Sequence, residues 1–326
     1  MSQTRSLTDR PANPLSMFPT KKGRLAMNPI RALAIAIVAL VAGGVLAVRP
    51  APAAIVTSGL SVHYDAANAD GNGNAGSGST TTLVNLANPG THDGTIVDGS
   101  GIVQNGAQIG TPYEYGIVLD GATNTASPAH IQTNSFQMGG GTNKVTAGTW
   151  EFWLRADNGG PPTSVERGAL YGEFPAGTAN QTRHYLRLEG IGESSRTVLY
   201  DEFAPSGNSA GSDSPLFDTG TFTQVVVTKN GDTVTFYENG VRVGNTKTNS
   251  ETYSGPTVNR TFFGKREVSS GNFESFDGQF NIIRVYDKAL TGSEVSQNYN
   301  ATIPEPATLA LLGLGGSLML FGRRKV

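Results

Sequence analysis

The segment TWEFWLRAD contains residues whose types and spacing could recognise a sugar. If this segment is a β-strand, Glu151, Trp153 and Arg155 lie on one face, because successive side chains alternate between the two faces. An aromatic ring between an acid and a base can stack on a sugar ring and hydrogen-bond its hydroxyl groups. Residues 150, 152 and 154 then face the core. The alternative is that Trp153 also packs inside the protein.

A second segment, RHYLRLEG, combines the same residue types. In an extended chain it places Arg183, Tyr185 and Arg187 on one face. We therefore predict Tyr185 and Arg187 as further ligand-binding residues.

The spacing of the carboxylates does not favour glycan hydrolysis. A retaining glycosidase needs two carboxylates about 5–5.5 Å apart, which on one strand requires positions i and i+2 or i+4. No E-x-D-x-E pattern occurs, and Asp201 and Glu202 are adjacent, so they face opposite ways. We expect a protein without catalytic residues, and a glycan hydrolase or lyase is the alternative.

Composition sets wider limits on function. The chain of 326 residues has a net charge of −2, with 42 glycines and no cysteine. Without a basic excess to neutralise phosphates, we expect no nucleic-acid partner. The lack of cysteine excludes disulfides and a thiol nucleophile. The abundant Gly, Asn, Thr and Ser are typical of a turn-rich all-β protein.

Alternating apolar and polar residues predict a series of strands. They are Gly59–Ala66, Tyr115–Gly121, Thr149–Ala156, His184–Gly190, Arg196–Phe203, Phe222–Lys229, Asp232–Asn239 and Asn281–Lys288. Asn230-Gly231 and Asn239-Gly240 predict type I′ hairpin turns, because both turn positions require φ > 0. The segment Ala289–Asn300 predicts a short helix with a capping box, Thr291 to Glu294.

Two segments carry a family resemblance. FTQVVVTKNGDTVTFYENGVRVG and FDGQFNIIRVYDKALTGSEVSQNYNA resemble the signature segments of LamG-like, concanavalin A-like domains. GLSVHYDA, YGIVLDG and TWEFWLRAD follow the family's order upstream, so the resemblance covers nearly all of Ile55–Ala301. It implies an all-β, two-sheet antiparallel jelly-roll sandwich. Members of the family mostly bind carbohydrate or protein and seldom catalyse.

The same resemblance makes calcium the one candidate cofactor. Some LamG-like domains hold a calcium ion at the rim with an aspartate and loop carbonyls, and Asp120 in LDGATN is the candidate ligand. The alternative is that Asp120 shapes its turn by accepting hydrogen bonds from nearby backbone amides.

Residues 21–54 have the order of a secretory signal peptide, with basic residues, an uncharged run at 32–48 and then small residues. We predict cleavage near Ala53 and Ala54. The alternative is an uncleaved membrane anchor, because the run is nearly long enough to span a bilayer. The polar lead is long for a signal, so we hypothesise that translation starts at Met27, which N-terminal sequencing of the precursor tests.

The C-terminal end has three parts. They are the triplet Pro304, Glu305 and Pro306, the uncharged run Ala307–Phe321, and the basic tip Arg323, Arg324 and Lys325. The run is short for a hydrocarbon core about 30 Å thick, and the basic tip favours a cytoplasmic end. These features predict a marginal membrane helix.

The order of these three parts resembles the PEP-CTERM sorting signal of Gram-negative bacteria. In that family a membrane cysteine protease, exosortase, is thought to cut near the triplet, and the proteins are associated with exopolysaccharide. The resemblance implies an exosortase-type partner, transient anchoring in the inner membrane, and delivery to the cell surface or extracellular matrix.

We therefore predict three regions: a signal peptide at 1–54, a LamG-like domain at 55–302 and a sorting segment at 303–326. The domain is predicted to lie between a signal helix and a membrane helix. The predicted function is non-catalytic binding of carbohydrate or another surface ligand by an exported protein. A structural matrix protein without a specific ligand is a further alternative.

Overall fold

The computed structural model describes residues 54–120, 128–134, 138, 145–157, 167–175, 184–189, 197–202, 209–213, 216–217, 220–250, 258–269 and 272–303. The chain divides into two units, residues 1–51 and 52–326, and all described residues belong to the second. Among them, no helix combines the length and hydropathy that a membrane span requires. The predicted signal helix and C-terminal membrane helix lie outside the described residues.

The regular secondary structure of the described part of the chain is mostly β, as the composition predicts. In chain order the strands are β1 (Leu60–Asp65), β2 (Thr82–Leu83), β3 (Gly94–Val97), β4 (Ile102–Gln104), β5 (Tyr115–Leu119), β6 (His130–Asn134), β7 (Ala147–Ala156), β8 (Arg167–Pro175), β9 (His184–Glu189), β10 (Thr197–Glu202), β11 (Ala210–Gly211), β12 (Phe222–Asn230), β13 (Thr233–Glu238), β14 (Val241–Thr248), β15 (Val258–Phe263), β16 (Lys265–Ser269), β17 (Asn272–Ser275) and β18 (Gly278–Tyr286). One α-helix, α1 (Gly292–Thr302), follows, and short 3₁₀ helices cover Ala66–Asn68 and Gly106–Gln108.

The strands form two antiparallel sheets and a separate hairpin. The first sheet has the order β14-β13-β12-β7-β18-β5-β4, with β1 also paired to β18, and the second has the order β11-β10-β9-β8-β15-β6-β3-β2. Strands β16 and β17 form the hairpin. Strand β18 pairs with β7 on one side and with β5 and then β1 on the other. This arrangement confirms the predicted all-β, two-sheet sandwich.

Aromatic side chains from both sheets form the core. Trp150 of β7 contacts Tyr171 of β8 and Tyr200 of β10, with ring centroids 5.7 and 5.3 Å apart. Phe152 of β7 contacts Phe263 of β15 at 6.4 Å. Burying one such side chain contributes roughly 1.5–3 kcal/mol. The predicted core face of this strand is therefore confirmed.

The predicted turn at Asn239-Gly240 is confirmed, with φ of 48° and 79°. It is also tied to helix α1, because the Ser296 hydroxyl donates to the Gly240 carbonyl over 2.6 Å. A Cβ atom at Gly240 would lie 2.9 Å from the Cβ of Tyr299. Glycine is thus required here both by the turn and by the helix that packs on it.

The other predicted turn is displaced by one residue. Asn230 pairs with Thr233 as part of the ladder, so the loop residues are Gly231 and Asp232. Of these two, only Gly231 has a positive φ, at 58°. A positive φ at the first loop position alone fits a type II′ turn, not type I′. The predicted type I′ turn at Asn230-Gly231 is therefore wrong, because β12 continues through Asn230.

Helix α1 begins with the predicted capping box. The Thr291 hydroxyl accepts a hydrogen bond from the Glu294 backbone N–H over 3.3 Å, and the Glu294 carboxylate accepts one from the Thr291 N–H over 2.8 Å. Lys288 bonds the same carboxylate at 2.7 Å. Together these bonds lower the pKa of Glu294. The helix starts at Gly292 rather than Ala289, since the cap determines its first turn.

Helix α1 covers the outer face of the first sheet through a buried polar network centred on Glu151. This carboxylate is fully buried. Its Oε1 accepts hydrogen bonds from Trp153 Nε1 at 2.7 Å, Gln224 Nε2 at 2.9 Å and Arg284 Nη1 at 2.8 Å. Its Oε2 accepts one from Asn298 Nδ2 of the helix at 2.8 Å. The buried charge is thus both paired and hydrogen-bonded, as burial requires.

The helix contributes further contacts on either side of this network. Asn298 also donates to the Tyr286 hydroxyl at 2.8 Å, and its own oxygen accepts from the Val56 backbone N–H at 2.8 Å. Tyr299 stacks on Trp153, with ring centroids 5.6 Å apart and planes 9° from parallel. One helical turn therefore connects the first residues of the domain to β7 and β18.

We expect Glu151→Gln to lower the free energy of unfolding by about 3–5 kcal/mol, because it leaves the buried Arg284 guanidinium without its counter-ion. The side-chain amide nitrogen of glutamine, which is a donor, would also lie against donors that now bond a carboxylate oxygen. Urea unfolding followed by tryptophan fluorescence measures this change. The matched control is Asp213→Asn, which removes the exposed partner of Lys247 and should change stability little. Equal, small effects in both variants would contradict the role of the network.

We also expect the free energy of unfolding to decrease as the pH falls below about 6.5. Burial and the adjacent Arg284 lower the pKa of His63 to about 3. At a pH between the unfolded pKa of 6.5 and this folded pKa, His63 is protonated in the unfolded chain and neutral in the folded chain. The contribution of His63 to the free energy of unfolding is therefore fully present above pH 6.5. It is lost at about 1.4 kcal/mol per pH unit as the pH falls.

The variant His63→Gln tests this assignment. Between pH 6 and 4, the number of protons taken up on urea unfolding should be lower by close to one in this variant. Identical slopes in the variant and the wild type would refute the contribution of His63.

Candidate ligand-binding site

An open groove of about 640 Å³ lies at one end of strands β7 and β12. The loop after β4 forms one wall with residues 105–108 and Tyr113, and residues 220–222 and Arg155 form the other. Phe222 and Arg155 are directly paired in the β7–β12 ladder. The strand register therefore places an aromatic ring and a guanidinium side by side on the outer face of the first sheet.

Aromatic rings form the apolar part of the groove. Tyr113 stacks on Phe222, with ring centroids 4.7 Å apart and planes at 29°. Trp153 supports Tyr113 from the interior at 5.6 Å. Burial raises the pKa of Tyr113, whose hydroxyl is in any case uncharged at neutral pH. Ile109, on the same loop as residues 105–108, is 66% exposed.

Hydrogen bonds hold the groove loop in shape. Asn105 Nδ2 donates to the Tyr113 carbonyl at 2.8 Å and to Gln279 Oε1 at 3.0 Å. Both amide hydrogens are thereby used, so this group can offer a ligand only its oxygen. The Glu114 carboxylate accepts bonds from the Gly110 N–H and from Gln104 Nε2, each at 2.9 Å. These bonds lower the pKa of Glu114 and keep it ionised.

Arg155 is held in place by a neighbouring acid. Its Nε and Nη2 donate to the two oxygens of Asp157 at 2.8 and 3.0 Å. Its guanidinium carbon lies 5.2 Å from the centroid of the Phe222 ring. The Arg155 and Asp157 side chains are 26% and 38% exposed. Arg155 lines the groove, so a ligand there can reach its guanidinium.

The structure separates the trio predicted on β7. Glu151, Trp153 and Arg155 do share one face, as alternation predicts. Glu151 and Trp153 are nevertheless fully buried under α1, where they bond each other and Tyr299 covers the indole. The prediction that these two residues contact a ligand is therefore wrong, because α1 occupies the position that a sugar would take. Arg155 alone reaches the groove.

Tyr185 and Arg187 lie on the outer face of the second sheet, together as predicted. The Tyr185 hydroxyl donates to Asp201 at 2.5 Å, and the Arg266 guanidinium carbon lies 3.5 Å from the centroid of its ring. Arg187 pairs with Glu274 at 3.5 Å. Tyr185 and Arg187 are 4% and 9% exposed. Their role in ligand binding stays a prediction.

The calcium and processing residues lie at or beyond the edge of the described chain. Asp120 is exposed immediately after β5, and the loop that follows it lies outside the described residues. Within the described ranges, no group of three or more His, Asp or Glu side chains is placed to hold a metal. The calcium prediction stays open to test.

Most of the predicted processing residues also lie outside the described part of the chain. Ala54 is exposed, and its carbonyl accepts a bond from Gln297 of α1 at 2.6 Å. The remaining predicted residues lie outside the described part of the chain. They are Ala53, Pro304, Glu305, Pro306, Arg323, Arg324 and Lys325.

Sequence reasoning missed most of the groove. Tyr113 and Asn105 belong to a loop in which apolar and polar residues do not alternate. The pattern around Phe222 predicts only that this residue begins a strand. The pairing of Phe222 with Arg155 depends on strand register across the sheet, for which the sequence carries no local signal. The only available hint was an aromatic residue within a turn-rich loop, TPYEYG.

The chain is similar to several solved structures at low identity. It is 12% identical to a Trypanosoma rangeli sialidase in complex with the inhibitor DANA, with a TM-score of 0.47, covering 84% of this chain and 39% of that one. It is 20% identical to domain 4 of AbnA, a GH43 extracellular arabinanase from Geobacillus stearothermophilus in complex with arabinotriose, with a TM-score of 0.43 and coverage of 74% and 98%. It is 18% identical to a SAP-like pentraxin from Limulus polyphemus, with a TM-score of 0.38 and coverage of 51% and 73%. The chain thus spans about two fifths of the sialidase, and these similarities carry no argument about ligand or activity.

Family comparisons are more specific. Residues 125–296 match the family described as the concanavalin A-like lectin/glucanases superfamily, and residues 302–325 match the PEP-CTERM protein-sorting motif. Comparison with characterised protein sequences gave no significant match. The sorting motif marks an exported protein that exosortase-type machinery processes at the membrane before it reaches the cell surface. The first match covers more than half of the chain, which therefore belongs to the concanavalin A-like lectin/glucanases superfamily and carries a PEP-CTERM sorting motif.

Proposed function

We propose that the domain binds carbohydrate without catalysis, in the groove formed by Tyr113, Phe222 and Arg155. The stacked pair of rings beside an accessible guanidinium is the observation that carries this proposal. Aromatic surface packs against the C–H groups of a sugar ring, while the guanidinium and the Asn105 oxygen can bond its hydroxyl groups.

The size of the groove supports the same conclusion. Its volume of about 640 Å³ falls within the range of roughly 300–1,000 Å³ that is typical of small-ligand sites. The groove is open to solvent along the outer face of the sheet, so a sugar unit within a longer chain can occupy it.

The acids near the groove support a binding role rather than hydrolysis. A glycosidase needs a carboxylic acid with a raised pKa to protonate the leaving group. Glu114 instead has a lowered pKa, because it accepts two hydrogen bonds. Asp157 accepts both of its bonds from Arg155. Glu114 is therefore not suited to donate a proton, and both oxygens of Asp157 are engaged by Arg155.

The sorting motif supports an extracellular location for the proposed binding activity. We propose that exosortase-type processing follows transient anchoring in the inner membrane, and that the domain then binds a surface glycan or exopolysaccharide in the extracellular matrix. Ligand binding would hold the domain in the matrix after its membrane anchor has been removed.

We expect Phe222→Leu to weaken glycan binding about tenfold, because it keeps apolar bulk but loses the ring that stacks with Tyr113. Stacking of this kind contributes about 0.5–1.5 kcal/mol, and tenfold corresponds to about 1.4 kcal/mol. The measurement is a glycan array with the full-length protein, with and without calcium, followed by titration of the best ligand. Val241→Ala, at a residue 67% exposed on β14, is the matched control.

Two results would overturn the proposal. Absence of binding to every glycan would favour the structural matrix protein. Release of reducing ends from a bound polysaccharide would favour the glycan-active enzyme.

A further inference from the structure

Asp157, which bonds Arg155, affects which ligand charge the groove can accept. An accessible arginine beside an aromatic ring ordinarily attracts carboxylate or phosphate groups, because its planar fork matches their two oxygens. Here the Nε and Nη2 side of the fork already bonds both oxygens of Asp157, at 2.8 and 3.0 Å. The backbone N–H of Asp157 is in turn bonded to the Asp277 carbonyl at 3.0 Å, which fixes the acid beside its partner.

The remaining charges around the groove do not favour an anion. Glu114 is an ionised carboxylate at neutral pH and accepts two hydrogen bonds, and the phenol of Tyr113 is uncharged. Among the described residues, Arg155 is the positive group that lines the groove, and the nearby acids are its partner Asp157 and Glu114 on the groove loop. An acidic sugar would have to displace Asp157 or share Arg155 with it, and both are less favourable than binding an uncharged sugar.

Neutral hydroxyl groups meet no such obstacle. Nη1 of Arg155 is outside the pair with Asp157 and can donate to a hydroxyl oxygen. Asn105 offers an acceptor, and the half-buried ring of Phe222, stacked on the buried ring of Tyr113, offers apolar surface. Each of these groups matches an uncharged, hydroxylated ring.

We propose that Asp157 is a specificity-determining residue, which neutralises Arg155 so that the groove selects uncharged sugar units and excludes acidic ones such as uronates. This inference rests on the proposed carbohydrate-binding function. It goes beyond that function by assigning the charge class of the ligand to one named side chain.

The test compares neutral and acidic polysaccharides with the full-length protein. The neutral probes are a glucan, a mannan and an arabinan, and the acidic probes are polygalacturonate and alginate. We expect the wild type to bind a neutral probe at least tenfold more tightly than either acidic probe. Neutral binding should change less than twofold between 50 and 500 mM NaCl, since screening acts on charged contacts.

Asp157→Asn keeps the shape of the side chain and removes its charge. We expect it to raise affinity for polygalacturonate at least tenfold relative to its affinity for a neutral probe, with a gain that is lost at high salt. The double variant Asp157→Asn/Arg155→Gln should lose this gain, because the gain requires the uncovered guanidinium. Asp213→Asn removes an exposed aspartate elsewhere and should behave like the wild type.

The outcomes separate this inference from the proposed function. A wild type that binds acidic probes as tightly as neutral ones, or an Asp157→Asn variant without a gain, overturns the role of Asp157. Phe222→Leu can still weaken binding in that case, and the proposed function then stands. If neither the wild type nor Asp157→Asn binds any probe, both proposals fail.

Discussion

The buried carboxylate of Glu151 is the constraint on which the outer face of the first sheet depends. A fully buried charge is tolerated only when it is paired and hydrogen-bonded. Its donors come from three adjacent strands and the helix: Trp153 on β7 itself, Gln224 on β12, Arg284 on β18 and Asn298 on α1. These donors converge only when α1 docks in one position, so the network determines where the helix lies.

The docked helix in turn supports the groove. Tyr299 of α1 stacks on Trp153, Trp153 contacts Tyr113, and Tyr113 stacks on Phe222. A row of rings thus runs from the helix to the groove, where Arg155 lies over the last ring. A binding site held by packed side chains on strands is better defined than one carried by loops alone, because each ring limits the rotamers of the next.

Eight of the eighteen described strands and the helix cap could be predicted from the sequence, because these features depend on local patterns. Alternation located the predicted strands, and the Thr291–Glu294 box located the helix start. The turn after β12 was displaced by one residue, since the Asn230-Gly231 preference does not specify where cross-strand pairing ends. Of the candidate site, only Arg155 was found, because the groove is assembled from segments that are far apart in the sequence.

The sequence by itself determined which side of its strand each residue occupies, because alternation is a property of the extended backbone. Only the tertiary structure decided what covers that side. Glu151, Trp153 and Arg155 share one face of β7, yet the first two lie beneath α1 and the third lines an open groove. The difference depends on where α1 docks, through a contact to Asn298 that is 147 residues from Glu151 along the chain. No pattern within a single strand encodes a partner at that distance.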